Sequence, residues 1–439
     1  MKNLLNRTAL ALPALMLSMP AWAEDAAPKI DSGDTAWMLT STALVLMMTI
    51  PGLALFYAGM VRKKNILATM MQSFMITCLI TVVWMVAGYS LAFTNGSAYI
   101  GDFSRVMLAG FGANWDKPFI LGAGTESAVT QTVPESVFMM FQMTFAIITP
   151  GLMVGAFVER LKFTSFLLFT SLWSVFVYTP ICHMVWGGGW LASMGVLDFA
   201  GGIVVHITAG VGALLTCAML GPRKENKMTP HNLPMAITGA GMLWVGWYGF
   251  NGGSALAAGA AAASAVVVSQ ISAATAALVW MAADWRDGKP TSLGLITGSI
   301  AGLAAITPAA GFVGVPGVFA IGALSAAICR FCSTTVKAHF GYDDSLDVFG
   351  VHGMGGLVGT LALGVFGNVA FGGTLTVPIA TQVSLQAFAS AFTVVYTLVV
   401  SYVLLKITEA LTGGLRVSVV TEAMGLDHTE LGEEAYLTA

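Results

Sequence analysis

The chain has 439 residues, 56% hydrophobic and only 9% charged, with a formal net charge of −3. A soluble domain carries about 25% charged residues; this composition cannot cover a globular surface with water-loving groups and puts most of the chain in a lipid bilayer. The slight negative charge argues against a nucleic-acid partner, and fifty glycines without a G-X-Y period exclude collagen.

The chain opens MKNLLNRTALALPALMLSMPAWAED: Lys2 and Arg7, a short apolar core over 8–19, and an A-x-A site at Ala21-Trp22-Ala23. That pattern predicts a signal peptide over 1–23 and a mature chain that starts outside a bacterial inner membrane. Apolar stretches of spanning length follow at about 35–60, 66–93, 135–158, 165–186, 199–220, 232–254, 258–283, 292–309, 315–338, 348–371 and 381–407. The expected fold is therefore an all-α polytopic membrane protein with eleven transmembrane helices, a membrane domain over 24–408 and a cytosolic tail over 409–439. The least distinct break is GGSALAAGAAAASA at 252–265.

Eleven spans that begin outside end inside, and the positive charges agree. Fourteen Lys and Arg fall on the predicted inner side, against three on the outer side after Ala23. The longest outer loop, about 95–134, reads as a structured cap. The inner tail carries six acids against Arg416 alone. Glu159-Arg160, at an inner helix end, reads as an interface anchor.

Asp198 opens the fifth predicted span, and His206 follows eight residues later in DFAGGIVVHITAG. His352 stands eight residues after Asp344, in the tenth span. At about 1.5 Å per residue, eight residues reach about 12 Å, near the middle of a core about 30 Å thick. The two spans run in opposite senses. Five-plus-five spans of opposite sense are an inverted repeat, over about 35–220 and 232–371, with the eleventh span outside it. Two neutral imidazoles meeting at the midplane would offer both donor and acceptor nitrogens inside an oily wall. Intramembrane histidines are usually functional.

Aromatic residues gather toward the outer ends of neighbouring spans. Phe141 and Phe145 lie four apart on the third, and Trp186 ends the fourth. Trp247, Phe250 and Ser254 form an i, i+3, i+7 stripe on the sixth. Aromatic faces attract small cations, and the Ser254 hydroxyl could accept a hydrogen bond from one. Asp198 reads as a cap on the fifth helix, the preferred reading, or as a direct ligand of the cation. Asp343, Asp344 and Asp347 read as a solvated helix entrance at the opposite end. Cys329 and Cys332 form a CxxC with no second ligand pair, so neither metal nor cofactor is expected. The sequence has no HExxH, no GxSxG and no paired intramembrane Asp, which argues against an enzyme.

DFAGGIVVHITAG, WYGFNGGSA, DDSLDVFGVHGMGG and IPGLALFYAG (50–59) resemble signatures of the ammonium transporter family (Amt/Mep/Rh), across essentially the mature chain. The resemblance implies an ammonium recruitment site at Phe141, Trp186 and Ser254, above a phenyl gate of Phe145 and Phe250. It implies a twin-histidine pore at His206 and His352 beside Trp247, and electrostatic support from Asp198. It also implies a homotrimer with one pore per subunit. The tail segment 414–436 resembles the part of bacterial members that helps dock a PII-type signalling protein. It departs from the family's His-Gly-Glu at Leu431-Gly432-Glu433.

Overall fold

The computed structural model describes residues 29–113, 115–123, 128–225 and 229–436; the expected signal peptide over 1–23 lies outside them. Ten described helical spans are long and apolar enough to cross a membrane. They are α1 (Ser32–Met60), α2 (Lys63–Phe93), α3 (Glu135–Phe157), α4 (Phe163–Ser193), α5 (Gly202–Leu220), α7 (Ala260–Asp287), α8 (Ser292–Ala309), α9 (Val315–Phe340), α10 (Phe349–Phe366) and α11 (Ile379–Thr412). Between α5 and α7 lies α6 (Leu233–Gly253), a continuous helix of 21 residues. Its glycines, tryptophans and Asn251 dilute its hydropathy, so it is not among the ten. The chain is a multi-pass membrane protein.

Local chemistry sets the helix ends. The Asp31, Asn232 and Thr291 side chains accept from the N–H groups of Asp34, Met235 and Gly294, and so cap α1, α6 and α8. Gly413, at φ 65°, ends α11 in the left-handed conformation. Pro51 sits inside a π-helical turn of α1, Met48–Leu53. The wider turn accommodates a residue that cannot donate to its i−4 carbonyl.

The spans differ in what surrounds them. Of the most apolar stretch of α3, 94% is enclosed, against 39% for α2 and α11. The first is therefore the centre of the bundle, and the other two face outward with Phe74, Val82, Val395 and Val399 exposed. The expected cap loop contains the only β-structure longer than an isolated bridge among the described residues, an antiparallel hairpin of β1 (Pro118–Leu121) and β2 (Val129–Pro134). Arg105 donates to both carboxylate oxygens of Glu135, at 2.9 and 3.0 Å, and Tyr89 donates to one of them at 3.0 Å. These bonds fasten the loop to α2 and to the first turn of α3.

At the opposite end of the molecule the expected anchor Glu159-Arg160 is instead buried, with the two residues 2% and 0% exposed. Glu159 accepts from the Arg62 backbone N–H and from its guanidinium, at 3.0 and 2.9 Å. Arg160 donates to Ser345 at 2.9 Å. Arg223 donates to both oxygens of Asp343, at 2.8 and 2.7 Å. The residues that pair with Glu159 and Arg160 lie far off in the chain, so local sequence cannot show the pairing; without it, burying either charge would be prohibitive. The tail docks here too. Asp427 accepts from the Leu67 and Ala68 N–H groups at the start of α2, at 3.1 and 2.8 Å. Glu422 accepts from Lys224 N at 2.7 Å.

The central crossing is between α5 and α10. A Cβ placed on Gly210 would lie 2.3 Å from the Gly353 Cα, and one on Gly356 would lie 2.6 Å from the Gly202 carbonyl oxygen. Only glycine permits that approach. Gly210→Ala should destabilise the protein by about 1–3 kcal/mol through overpacking, read as a lower melting temperature in detergent. Gly241→Ala on α6, where a Cβ would meet nothing within 4 Å, should be neutral or slightly stabilising. Equal melting temperatures for the two variants would contradict this packing.

Candidate functional site

Both histidines stand in π-helical turns at the starts of their spans, His206 in Gly202–Ile207 and His352 in Phe349–Gly353. Such turns displace side chains from the regular helical pattern and recur at functional sites. Here they aim both imidazoles into the interior, 1% and 4% exposed. The rings stack with centroids 5.3 Å apart and planes 19° from parallel. Among the described residues, neither nitrogen of His206 and not Nδ1 of His352 has a hydrogen-bond partner. A buried polar atom without a partner costs free energy, and these three nitrogens carry that cost.

The two turns are opened by carboxylates. Asp198 accepts four backbone bonds: Gly201 and Gly202 N–H on Oδ1 at 2.9 and 2.7 Å, Ile203 and Val204 N–H on Oδ2 at 2.8 and 3.1 Å. Its geometry is that of a cap. Burial pushes its carboxyl up to about 6, while the four donors pull the other way. At the second turn Asp344 accepts from Phe349 N–H at 2.7 Å, and its Oδ1 has no partner among the described residues. Asp344 is fully buried, which corrects the expectation of a solvated entrance. Leu346 N–H of this loop donates to the Gly155 carbonyl of α3 at 3.0 Å, and burial followed by the nearby Asp347 charge pushes the Asp344 carboxyl up to about 6.

The aromatic residues predicted for the site converge. Phe141 and Phe145 have centroids 5.0 Å apart. Phe145 lies 4.3 Å from Phe250 and 5.8 Å, edge-on, from Trp186. Phe250 continues to His206 at 6.0 Å, and Trp247 flanks the same imidazole at 5.5 Å. The result is one file of rings: Phe141, Phe145, Phe250, His206, His352. Trp186 Nε1 donates to the Asp198 carbonyl at 2.7 Å, so its indole is fixed by the residue that caps α5. Ser254 Oγ donates to the Phe250 carbonyl at 2.8 Å, which leaves its oxygen lone pairs free to accept.

Between the rings lies a gap of about 10 Å³, walled by Phe250, Trp247, both histidines, Leu53 and Ile148; that is near the least space that holds one water-sized molecule. Phe56 and His352 also line a separate vestibule of about 620 Å³, whose lining includes Tyr57, Arg223, Lys337, Asp343 and Asp347. One supporting residue escaped the sequence: Thr307 Oγ1 accepts from Trp247 Nε1 at 2.9 Å. A lone threonine before a proline carries no signal of that role.

The helical spans and the interior file of rings they enclose define a multi-pass membrane protein with a shared aromatic and imidazole core. The profile of the Ammonium Transporter Family matches residues 36–436, and the chain belongs to that family. It is 45% identical over 422 residues to the ammonium transporter of Aquifex aeolicus, with 95% of this chain and 96% of that one covered. It is 44% identical over 410 residues to the ammonium transporter of Bacillus subtilis, covering 92% and 98%. The crystal structure of Candida albicans Mep2 superposes with a TM-score of 0.78 at 36% identity, over 89% of this chain and 87% of that one.

Two predictions test the charged supports. In Asp198→Asn a single amide oxygen replaces two carboxylate oxygens, and the two N–H groups left without an acceptor should cost about 1–3 kcal/mol each. Melting in detergent reads this, and an unchanged midpoint would refute the cap. At the vestibule, burial opposes ionisation of Asp343, but Arg223 and then Arg160 outweigh it and hold the carboxyl at about 2, below the ordinary 3.8. A depressed acid stabilises the fold above its unfolded value and loses that contribution as pH falls. The wild type should therefore lose stability between about pH 4 and pH 2, and Asp343→Asn should flatten that part of the acid titration.

Proposed function

We propose that this protein transports ammonium across a bacterial inner membrane. The observation that carries the reading is the stacked imidazole pair with unpartnered nitrogens, set in a gap too narrow and too apolar for a hydrated ion. Ammonium and potassium share a charge and nearly a size, so a charged filter separates them poorly. A dry file separates them chemically, because ammonium can lose a proton and potassium cannot.

In this mechanism Trp186 and Phe141 hold the cation by their ring faces and Ser254 accepts a hydrogen bond from it. Deprotonation takes place at the Phe145–Phe250 gate. Neutral ammonia passes His206 and His352 beside Trp247, and the proton crosses separately along the imidazoles, so transport carries charge. Asp198 supports the outer site without touching the permeant. With α6 as the eleventh span, the chain forms two inverted five-helix repeats plus α11. Its signal peptide is removed, the Trp186 end faces outward, and the tail is cytosolic. Three subunits assemble, each with its own pore, and the docked tail with the loop at Lys224 offers a platform for a PII-type partner.

Currents from proteoliposomes on a solid support test this. Wild type should give an ammonium-driven current and none with potassium. His352→Ala and the double variant with His206→Ala should lose at least about tenfold of it, which corresponds to a barrier higher by about 1.4 kcal/mol, or should admit potassium. Unchanged current with unchanged exclusion of potassium in these variants would overturn the reading. Ammonia flux without any charge movement in the wild type would replace it with a passive gas channel.

A further inference from the structure

The segment leading into Asp198 is not helical, although it lies against the bundle. Its backbone groups cannot be satisfied by a helical ladder, and lipid supplies no alternative. The partners come instead from α11. Leu197 N–H donates to Gln386 Oε1 at 2.9 Å, and Gln386 Nε2 donates to the Leu197 carbonyl at 2.6 Å. The amide thus pairs with Leu197 as a neighbouring β-strand would. Its orientation is fixed by the pairing, since a flipped amide would set N–H against N–H and oxygen against oxygen. Gln382 Nε2 donates to the Gly195 carbonyl and to Gln386 Oε1, both at 3.2 Å. Gln386 is fully buried and Gln382 is 3% exposed, so this pairing is shielded from competing water.

The next residue carries both groups of the outer site. The Asp198 carbonyl accepts the Trp186 indole N–H at 2.7 Å, and its carboxylate closes on the first turn of α5. The backbone of one residue, Leu197, held on both its N–H and its carbonyl, therefore fixes the height of the indole and the aim of the carboxylate together. Phe199 N–H donates to the Pro308 carbonyl at 3.1 Å, which pins the far side of the segment.

We propose that Gln386 is a positioning residue for the Trp186 site, and that α11 thereby sets the affinity of that site for its cation. The proposal rests on the reading of Trp186 as a cation-binding group. Gln386 touches no permeant; it acts through the Leu197 backbone.

The test measures the half-saturating ammonium concentration and the saturating current for wild type, Gln386→Leu, Gln386→Glu, Trp186→Leu and Thr397→Val. Thr397 lies on the same buried face of α11, and its hydroxyl has no partner among the described residues, so its variant reports repacking alone. Gln386→Leu should raise the half-saturating concentration about tenfold while the saturating current stays within about twofold, a loss of binding rather than of throughput. Thr397→Val should match the wild type.

Gln386→Glu covers the case in which the leucine variant does not fold. As a carboxylate it accepts from Leu197 N–H but opposes the carbonyl. As a carboxylic acid it regains the donor and acceptor pair of the amide. Its half-saturating concentration, divided by that of the wild type at the same pH, should fall toward one as pH drops from about 8 to about 5. Wild-type half-saturation in Gln386→Leu, or no pH-dependent recovery in Gln386→Glu, with Trp186→Leu still impaired, would overturn the positioning role. Trp186→Leu without effect would remove the cation-site reading and this proposal with it.

Discussion

The architecture depends on two helices touching backbone to backbone. At Gly210 and Gly353 no side chain separates α5 from α10. In a bilayer helices gain little by hiding apolar surface from one another, and close contact between small residues is what holds them. That contact sets the spacing of everything carried on the two helices. With a methyl group between them, the imidazoles could not keep the 5.3 Å stack, and the file of rings would be broken at its centre.

Main-chain charge is managed with equal economy of means. An otherwise oily interior contains two non-helical entries, and each is closed by a buried carboxylate. They are not equivalent. Asp198 spends all four of its acceptor positions on backbone N–H groups, whereas Asp344 keeps an oxygen without a partner among the described residues. A carboxylate at a helix N-terminus is favoured by the helix dipole. The saturated one is a fixed brace for the neighbouring tryptophan. The other borders Asp347 and Lys337 at the edge of the vestibule, where Lys337 donates to Asp347 at 2.7 Å.

The sequence made the axis of the molecule legible because its signal was periodic and paired. Asp198 and His206 repeat the spacing of Asp344 and His352, and Phe141 with Phe145 and Trp247 with Phe250 and Ser254 fall at helical intervals. Composition alone disclosed the membrane. What stayed hidden depends on residues far apart in the chain. Glu159 and Arg160 are buried because Arg62, Arg223 and Asp343 arrive from other loops, and no local pattern announces that. Gln386 and Leu197 are separated by 189 positions, so a glutamine in a long apolar helix looks like a minor irregularity. The π-helical turns are likewise invisible to a count that assumes 3.6 residues per turn. Even α6, rich in the residues predicted for the site, falls short of the hydropathy of the ten spans, since its glycines, tryptophans and Asn251 dilute it.

The 4.3 Å approach of Phe145 to Phe250 leaves no standing aperture between them. On the proposed route a molecule would pass only while a ring swings aside, so traffic through a rigid scaffold would be metered by the tumbling of a side chain. The same closure would insulate the membrane between passages. On the proposed reading, charge would cross only with a passing permeant and not as a standing leak.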